Sequence, residues 1–320
     1  MTKHRLIKYL PPVLGLVVLV GIVVGLHGAL RRIGPEDVLA ALGATPRREV
    51  LHALVLLAAS MGLMMAYDVP GILFARRLGA FPRLKLRQVA LASFCAYALS
   101  HVLGAAALTA AAIRVRLYAQ WQVPRAGIAR IIALSGSMFS LGLAALLGFL
   151  LLLHPHALPL FGHAVTPDLL RAMGAALLAV VAAYVAAARR REGLNVFGHE
   201  IALPGHGLAL TQVALSCADT VTACAILYVI LPDAAGLSYP HVLGIYLAAF
   251  AGGVFSGLPG GVGVFDSVLL LGLSGYMDAA PALGAILLFR VLYFLCPACV
   301  AALCYAGHEV WINTRRGRKP

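Results

Sequence analysis

Apolar stretches long enough to span a bilayer recur along the whole chain and are separated by short polar segments. A helix of about 20 apolar residues crosses a hydrocarbon core roughly 30 Å thick, and backbone groups in lipid must be satisfied within the segment. The pattern predicts an all-α integral membrane protein with about eight transmembrane or re-entrant helical units. The stretches cover residues 9–30, 50–69, 88–113, 127–153, 168–188, 207–231, 240–258, 261–276 and 281–306.

Basic residues are concentrated between the apolar stretches, and their placement constrains the topology. The clusters lie at the N-terminus, at 76–87, at 114–130, at 189–191 and at the C-terminus. Lys and Arg of short loops accumulate on the cytoplasmic side of membranes. A full crossing by 88–113 would put one neighbouring cluster outside. We therefore predict that this stretch, which has His101 and Gly104 at its middle, enters and leaves on the same side, with both chain termini cytoplasmic.

A second broken unit is predicted at 240–276, where two short apolar runs are joined at Leu258-Pro-Gly-Gly. It also returns to its starting side, either as a re-entrant hairpin or as two crossings. The single membrane domain 1–320 then divides into a first half-repeat, 1–153, and a second, 154–320, of opposite orientation. Inverted repeats with broken helices are common in transporters, where the breaks mark the substrate path.

Composition agrees with an integral membrane protein, which we expect in an inner membrane. Apolar residues make up 62% of the chain and charged residues only 12%, against roughly 25% charged residues in soluble domains. The net charge is +13. The basic residues lie mostly in short loops between the apolar stretches, which indicates contact with anionic lipid headgroups and not with nucleic acid. No signal-peptide cleavage site follows the first stretch, so we expect it to remain as a helix.

Ionisable residues within the apolar stretches are the first candidates for function, because they are costly in lipid. Asp68, His101, Asp219, Asp266 and Arg290 are such residues. One interpretation is a polar cavity that holds a zwitterionic or cationic lipid headgroup. The other is ion pairing between helices, for example of Arg290 with Asp266 or Asp219. Asp68, near the end of its stretch, is expected at the membrane interface.

The most distinctive motif is Pro259-Gly260-Gly261-Val-Gly263-Val-Phe-Asp266. Pro removes a backbone N–H and the glycines allow sharp turns, so backbone polar groups become available to a ligand. The helix that follows directs its positive N-terminal end toward any phosphate. The alternative is a helix break without a ligand.

Further candidates flank the broken units. Arg114, Arg116 and Tyr118 follow the first unit and are expected at its cytoplasmic exit, where they either grip a lipid phosphate or anchor the chain at the interface. Tyr293 follows Arg290 by nearly one helical turn. The chain contains no nucleophile elbow, HExxH motif or P-loop, so we expect no enzyme, no catalytic residue, no metal and no cofactor.

These motifs resemble the flippase half of the bacterial multiple peptide resistance factor proteins, within the transmembrane-region family of the lysylphosphatidylglycerol synthases. The resemblance covers most of the chain in the same order, and Asp266 stands where the family pattern has Glu. The matching stretches are Tyr67-Asp68, 93–94 through 114–118, Asp219, 227–232, 259–266 and 290–293.

The resemblance implies a lipid flippase for aminoacylated phosphatidylglycerol, such as the lysyl form, without synthase activity. The chain would move this lipid from the inner to the outer leaflet and so contribute to resistance against cationic antimicrobial peptides. Other members of the family are linked to hopanoids, which leaves transport of a hopanoid or polyprenyl-linked lipid as an alternative. A scaffold for a separately encoded aminoacyl-lipid synthase is a second alternative. Partners are therefore membrane phospholipids and such a synthase, and a homo-oligomer stays open.

Overall fold

The computed structural model describes residues 45–79, 81–157, 165–189, 194–196 and 199–316, together with residues 36, 40 and 43. Helices form almost all of this part, and a short antiparallel pair of strands joins two of them. The elements are α1 (Arg47–Ala66), α2 (Val69–Arg77), α3 (Leu86–Leu103), α4 (Ala106–Gln120), α5 (Arg125–Leu153), α6 (Pro167–Ala187), β1 (Leu194–Val196), β2 (His199–Ile201), α7 (His206–Ile230), α8 (Tyr239–Phe255), α9 (Val264–Leu273), α10 (Ala279–Phe289), a π-helical segment (Arg290–Leu295) and α11 (Cys296–Arg316).

The predicted all-α membrane architecture is confirmed. Six helical stretches of the described residues are long and apolar enough to cross a membrane, and the helices of the second broken unit are shorter. The predicted first helix, 9–30, lies outside the described residues. The division into half-repeats 1–153 and 154–320 stays a prediction.

α1 and α2 form one long span that is interrupted at Asp68. Pro70 causes the interruption, because its ring nitrogen cannot donate to the carbonyl four residues earlier. The hydroxyl of Ser93 repairs the break: it accepts from the Asp68 N–H at 3.2 Å and donates to the Met64 carbonyl at 2.6 Å. The kink therefore fixes Asp68 in the interior, where its side chain is fully buried. Its expected place at the level of the membrane interface stays a prediction.

α3 and α4 fold back on each other as a helical hairpin, here called hairpin 1. The turn lies at Gly104 and Ala105, which both have positive φ, 77° and 42°. Beyond the turn the helices run antiparallel, since the guanidinium carbon of Arg114 lies 4.8 Å from the ring centre of Tyr97. The stretch 88–113 thus returns toward its starting end, as the charge pattern predicted.

α8 and α9 form a second structure of this kind, hairpin 2, whose turn lies at 256–263. The ring centres of His241 and Tyr276, at its open end, are 5.7 Å apart. Near the turn, a Cβ on Gly253 would lie 3.4 Å from that of Phe265. The stretch 240–276 is therefore a helical hairpin, and both of its helices are shorter than the six membrane-spanning stretches of the described residues.

The two hairpins enter the bundle from opposite ends. α2 ends beside the start of α7, where Arg77 donates to the Pro204 carbonyl at 3.3 Å. The open end of hairpin 1 also lies at this end, which we call the basic end because it carries Arg77, Arg87 and Arg125. The open end of hairpin 2 lies at the other end, where Tyr239 packs on Tyr228 near the end of α7.

The turns of the two hairpins meet inside the bundle. A Cβ on Gly104 would lie 3.0 Å from Cγ of Pro259, and one on Gly260 would lie 3.2 Å from the His101 carbonyl oxygen. At 1.5 Å per residue, about 22 Å of helix separates His101 from the start of α3. A similar length of about 21 Å separates Gly253 from the start of α8. Together these lengths match a bilayer of roughly 40–45 Å including headgroups, so the turns meet near half depth.

Candidate functional site

The junction between the two turns lines a small, partly open cavity of about 40 Å³. His101 and Gly104 contribute from hairpin 1, and Gly260, Gly261 and Phe265 contribute from hairpin 2. A Cβ on Gly261 would lie 2.8 Å from Cα of Gly253, so only glycine allows this approach of two backbones. The predicted loop residues therefore shape the junction, and the structure brings them together with His101.

An ion pair holds hairpin 2 to the π-helical segment beside this cavity. The guanidinium of Arg290 donates to both carboxylate oxygens of Asp266, with an Nη2–Oδ2 distance of 2.8 Å. Its Nη1 also donates to the Gly260 carbonyl at 3.2 Å. The rings of Phe265 and Phe294 lie 5.4 and 5.5 Å from its central carbon. Arg290 thus connects the junction loop to the π-helical segment, and the pairing of Arg290 with Asp266 is the one that the sequence raised.

Asp266 also occupies the start of α9. Its Oδ2 accepts from the Gly263 N–H at 3.0 Å, which is the role of an acid in the first turn of a helix. In the conformation described, Asp266 therefore occupies one N–H of the helix end that was expected to face a phosphate, and the phosphate site itself stays a prediction. A phosphate would have to displace the carboxylate of Asp266 from both the helix end and Arg290.

Asp219 lies near the middle of α7 and is buried, with 7% of its surface exposed. Its carboxylate accepts from the hydroxyl of Ser60 at 2.6 Å and from that of Tyr67 at 2.8 Å. It forms no ion pair with any described residue. Tyr293, whose hydroxyl lies beside Ser60, adds a third polar group. Asp219 therefore differs from the other buried acids, which all face an arginine.

Asp68 is the centre of a second group toward the basic end. Its carboxylate accepts from Arg114 at 2.8–3.1 Å, from Tyr118 at 2.9 Å and from Ser135 at 2.9 Å. All of these side chains are buried. The predicted site residues Asp68, Arg114 and Tyr118 are thus brought together, but their polar atoms are directed at each other.

Arg116 forms a separate pair with Glu309 of α11. Two parallel hydrogen bonds of 2.9 and 2.6 Å join them, and the Gln120 amide donates to the same carboxylate at 2.8 Å. Arg114 and Arg116 were expected at an exposed exit, but both guanidinium groups are buried and paired. The reason is that partners from α2 and α11 reach them, and the sequence does not identify partners so distant in the chain.

An aromatic and polar path links these groups across the bundle. The rings of Tyr67 and Tyr97 are 4.5 Å apart, and Tyr97 in turn lies against Arg114. On the other side, the ring of His101 lies 6.1 Å from that of Tyr293. Polar groups therefore extend from the basic half of the bundle through Asp219 to the junction of the hairpins.

Sequence reasoning missed Ser60, Ser135 and Glu309. A serine within an apolar stretch is common and carries little signal. Glu309 lies just beyond the predicted end of the last apolar stretch, at residue 306, whereas α11 continues to Arg316. Extension of the predicted helix by one turn would have included Glu309 as a possible partner for Arg114 or Arg116.

Two relatives cover most of the chain. A protein of Synechocystis sp., slr0712, is 30% identical over 318 residues, which make up 99% of this chain and 97% of the relative. The inner membrane protein YbhN of Escherichia coli is 30% identical over 226 residues, 70% of each chain. No protein-family model matches the chain.

A shorter similarity connects the chain to phosphatidylglycerol lysyltransferases. The enzyme of Staphylococcus haemolyticus is 37% identical over 68 residues, which are 21% of this chain and 8% of the enzyme. That of Staphylococcus epidermidis is 33% identical over 92 residues, 28% of this chain and 11% of the enzyme. These matches support a relation to the lysylphosphatidylglycerol synthases. The similarity to YbhN and slr0712 extends over most of the chain, which shows that this multi-pass membrane protein belongs to the same family as these two proteins.

Proposed function

We propose that the chain moves a lipid with an aminoacylated headgroup, such as lysyl-phosphatidylglycerol, from the leaflet at the basic end to the opposite leaflet. The observation that carries the proposal is Asp219, a buried acid without an ion pair near half depth, close to the junction of two opposed hairpins. A buried carboxylate is costly unless a cation or a proton compensates it. An ammonium group of the headgroup is a suitable partner.

Opposed hairpins provide a physical basis for movement between leaflets. Each hairpin reaches only to half depth from its own end, so a shift of either one opens the junction toward one leaflet. Backbone groups freed by the breaks at Gly104 and at 256–263 are tolerated at membrane depth only where protein or a polar cavity satisfies them. The cavity of about 40 Å³ at the junction is the closed form of such a path.

The outer sides of both turns suit the acyl chains of a lipid. Leu108 of hairpin 1 is 75% exposed and Phe255 of hairpin 2 is 79% exposed in the described part of the chain. Apolar side chains exposed at this depth contact lipid. A headgroup could therefore enter the junction while its acyl chains stay in the bilayer.

Arg290 is the candidate for the phosphate of the lipid. It lies beside the junction, and its partner Asp266 keeps 24% of its side chain exposed, so the pair is reachable. Exchange of a carboxylate for a phosphate on a guanidinium preserves the bidentate geometry. Asp266, once released, would be available to the ammonium group. The lysyltransferases that share local similarity with this chain act on phosphatidylglycerol by name, which favours this lipid class.

Leaflet exposure of lysyl-phosphatidylglycerol tests the proposal. Cells would express a synthase that lacks a translocating part together with this chain, and an impermeant amine reagent would label the outer leaflet. We expect the labelled fraction to rise with the wild type and to fall to the level without the chain for Asp219→Asn. Asp168→Asn, a change at an exposed acid of α6, serves as the matched control.

Two outcomes would redirect the assignment. If the lipid is made but its labelled fraction does not change, translocation of the lysyl form is wrong, and hopanoid or polyprenyl-linked lipids take its place. If Asp219→Asn acts like the control variant, the carboxylate is not the site of the ammonium group. A scaffold would instead be indicated by co-purification of a synthase that charge reversal in 76–87 abolishes.

A further inference from the structure

A lateral cleft of about 470 Å³ opens at the basic end, away from the junction of the hairpins. Its walls come from the start of α3, the end of α4 and the last turns of α11. The lining residues include Arg87, Gln88, Trp121, His308 and Trp311. These three helix ends are brought together by the return of hairpin 1, so the cleft exists only because that unit does not cross the bundle.

The guanidinium of Arg87 and the imidazole of His308 both line the cleft. Arg87 is exposed and forms no ion pair with any residue that the structure describes. His308 lies between the two tryptophans, with ring-centre distances of 5.6 Å to Trp121 and 6.2 Å to Trp311. One of its ring nitrogens lies 3.1 Å from the Gln120 side-chain oxygen. Gln120 and the two tryptophans thus hold the imidazole in place, and it lines the cleft together with Arg87.

The rim of the cleft is apolar. Leu91 and Trp311 line it, and Trp311 is 48% exposed. Tryptophan favours the headgroup level of a membrane, where one part of the ring contacts apolar chains and the N–H contacts polar groups. An arginine beside tryptophans at this level fits a phosphodiester whose acyl chains lie against the rim. A soluble anion would make no use of the apolar rim.

We propose that this cleft binds an anionic phospholipid, such as phosphatidylglycerol, from the leaflet at the basic end. Arg87 contacts the phosphodiester, the free ring nitrogen of His308 accepts from a hydroxyl of the glycerol headgroup, and the acyl chains lie along Leu91 and Trp311. The bound lipid covers the seam between hairpin 1 and α11. This site lies outside the proposed translocation path and does not depend on which lipid is moved.

The chain offers a direct optical probe of the site. It contains two tryptophans, Trp121 and Trp311, and both line the cleft. Phospholipids brominated in their acyl chains quench tryptophan only at short range, so fluorescence reports occupancy of this cleft alone. The full-length protein would be reconstituted in phosphatidylcholine vesicles with increasing mole fractions of brominated phosphatidylglycerol or brominated phosphatidylcholine.

We expect quenching by brominated phosphatidylglycerol to saturate at a low mole fraction, and quenching by brominated phosphatidylcholine to follow its share of the bilayer. Arg87→Gln should raise the half-saturating mole fraction about fivefold, the effect of one basic residue near an anionic membrane surface. Arg83→Gln is the matched control, because it removes an exposed charge from the same segment but does not line the cleft. Its curve should match the wild type.

The proposal is overturned if both brominated lipids give the same curve, or if Arg87→Gln and Arg83→Gln act alike. It is also overturned if millimolar inorganic phosphate relieves the quenching, because the cleft would then bind the anion alone. The assay requires no translocation. Loss of leaflet exposure with normal quenching would therefore count against the proposed function and leave this site intact.

Discussion

Removal of the Asp68 carboxylate, which pairs with Arg114, has an effect on stability that follows directly from the geometry. Asp68→Ala removes the carboxylate that accepts from Arg114, Tyr118 and Ser135. The guanidinium stays buried between α2, α3 and α5, where the described residues offer it no second acid. A buried charge that loses its partner is strongly destabilising.

The magnitude follows from the burial of both partners. Removal of one member of a buried pair costs about 3–5 kcal/mol, and the two hydroxyls left without their acceptor add about 1 kcal/mol each. Asp68→Ala should therefore lower the free energy of unfolding by about 5–7 kcal/mol. Asp68→Ala with Arg114→Leu should lose about 2 kcal/mol, since no unpaired charge remains. The double variant is then more stable than Asp68→Ala alone.

Unfolding in mixed micelles of a mild detergent and dodecyl sulfate, followed by tryptophan fluorescence, measures these differences. The control is Asp168→Ala, which breaks an exposed pair with Arg171 whose side chains are 92% and 52% exposed. Exposed pairs contribute little, so its unfolding curve should coincide with the wild type. Additive losses in the double variant of Asp68 and Arg114 would refute the reasoning, because they would mean that the two charges do not compensate each other.

Three further predictions concern function and packing. Asp219→Asn should abolish leaflet exposure while costing only about 1 kcal/mol in unfolding, because one hydrogen bond is weakened and no ion pair is broken. Gly104→Ala should reduce both stability and leaflet exposure of the lipid, because the new Cβ meets Pro259. Gly236→Ala is the control: its φ of 79° is similar, but a Cβ there has nothing within 4 Å, so leaflet exposure of the lipid should not change. Glu309→Ala should lower the free energy of unfolding by about 3 kcal/mol in the same micelle assay, while Glu309→Gln should lose less.

The return of the stretch 88–113 toward its starting end could be predicted from the sequence because it depends on local signals. The basic segments 76–87 and 114–130 flank a stretch that cannot cross, and the structure places the ends of α3 and α4 together. The Pro259-Gly-Gly motif breaks its helix for the reason given by the sequence: Gly260 and Gly261 both have a φ of 59°. Such features require only the neighbouring residues.

The pairing of the buried charges could not be predicted in the same way. Asp68 and Arg114 are 46 residues apart, and Arg116 and Glu309 are 193 apart, so each pair depends on the packing of the whole bundle. The kink at Asp68 is an intermediate case. Pro70 signals a break in the helix, but the role of Ser93 in repairing it follows only from the contact between α1 and α3.

The most direct test of the central claim uses the purified chain in vesicles that contain lysyl-phosphatidylglycerol in both leaflets. An impermeant amine reagent added outside labels the outer share of the lipid at once. The account predicts that labelling then continues toward completion with the wild type and stops at the outer share with Asp219→Asn. Labelling that stops at the outer share with the wild type, in vesicles that remain sealed, would contradict translocation of this lipid by the chain.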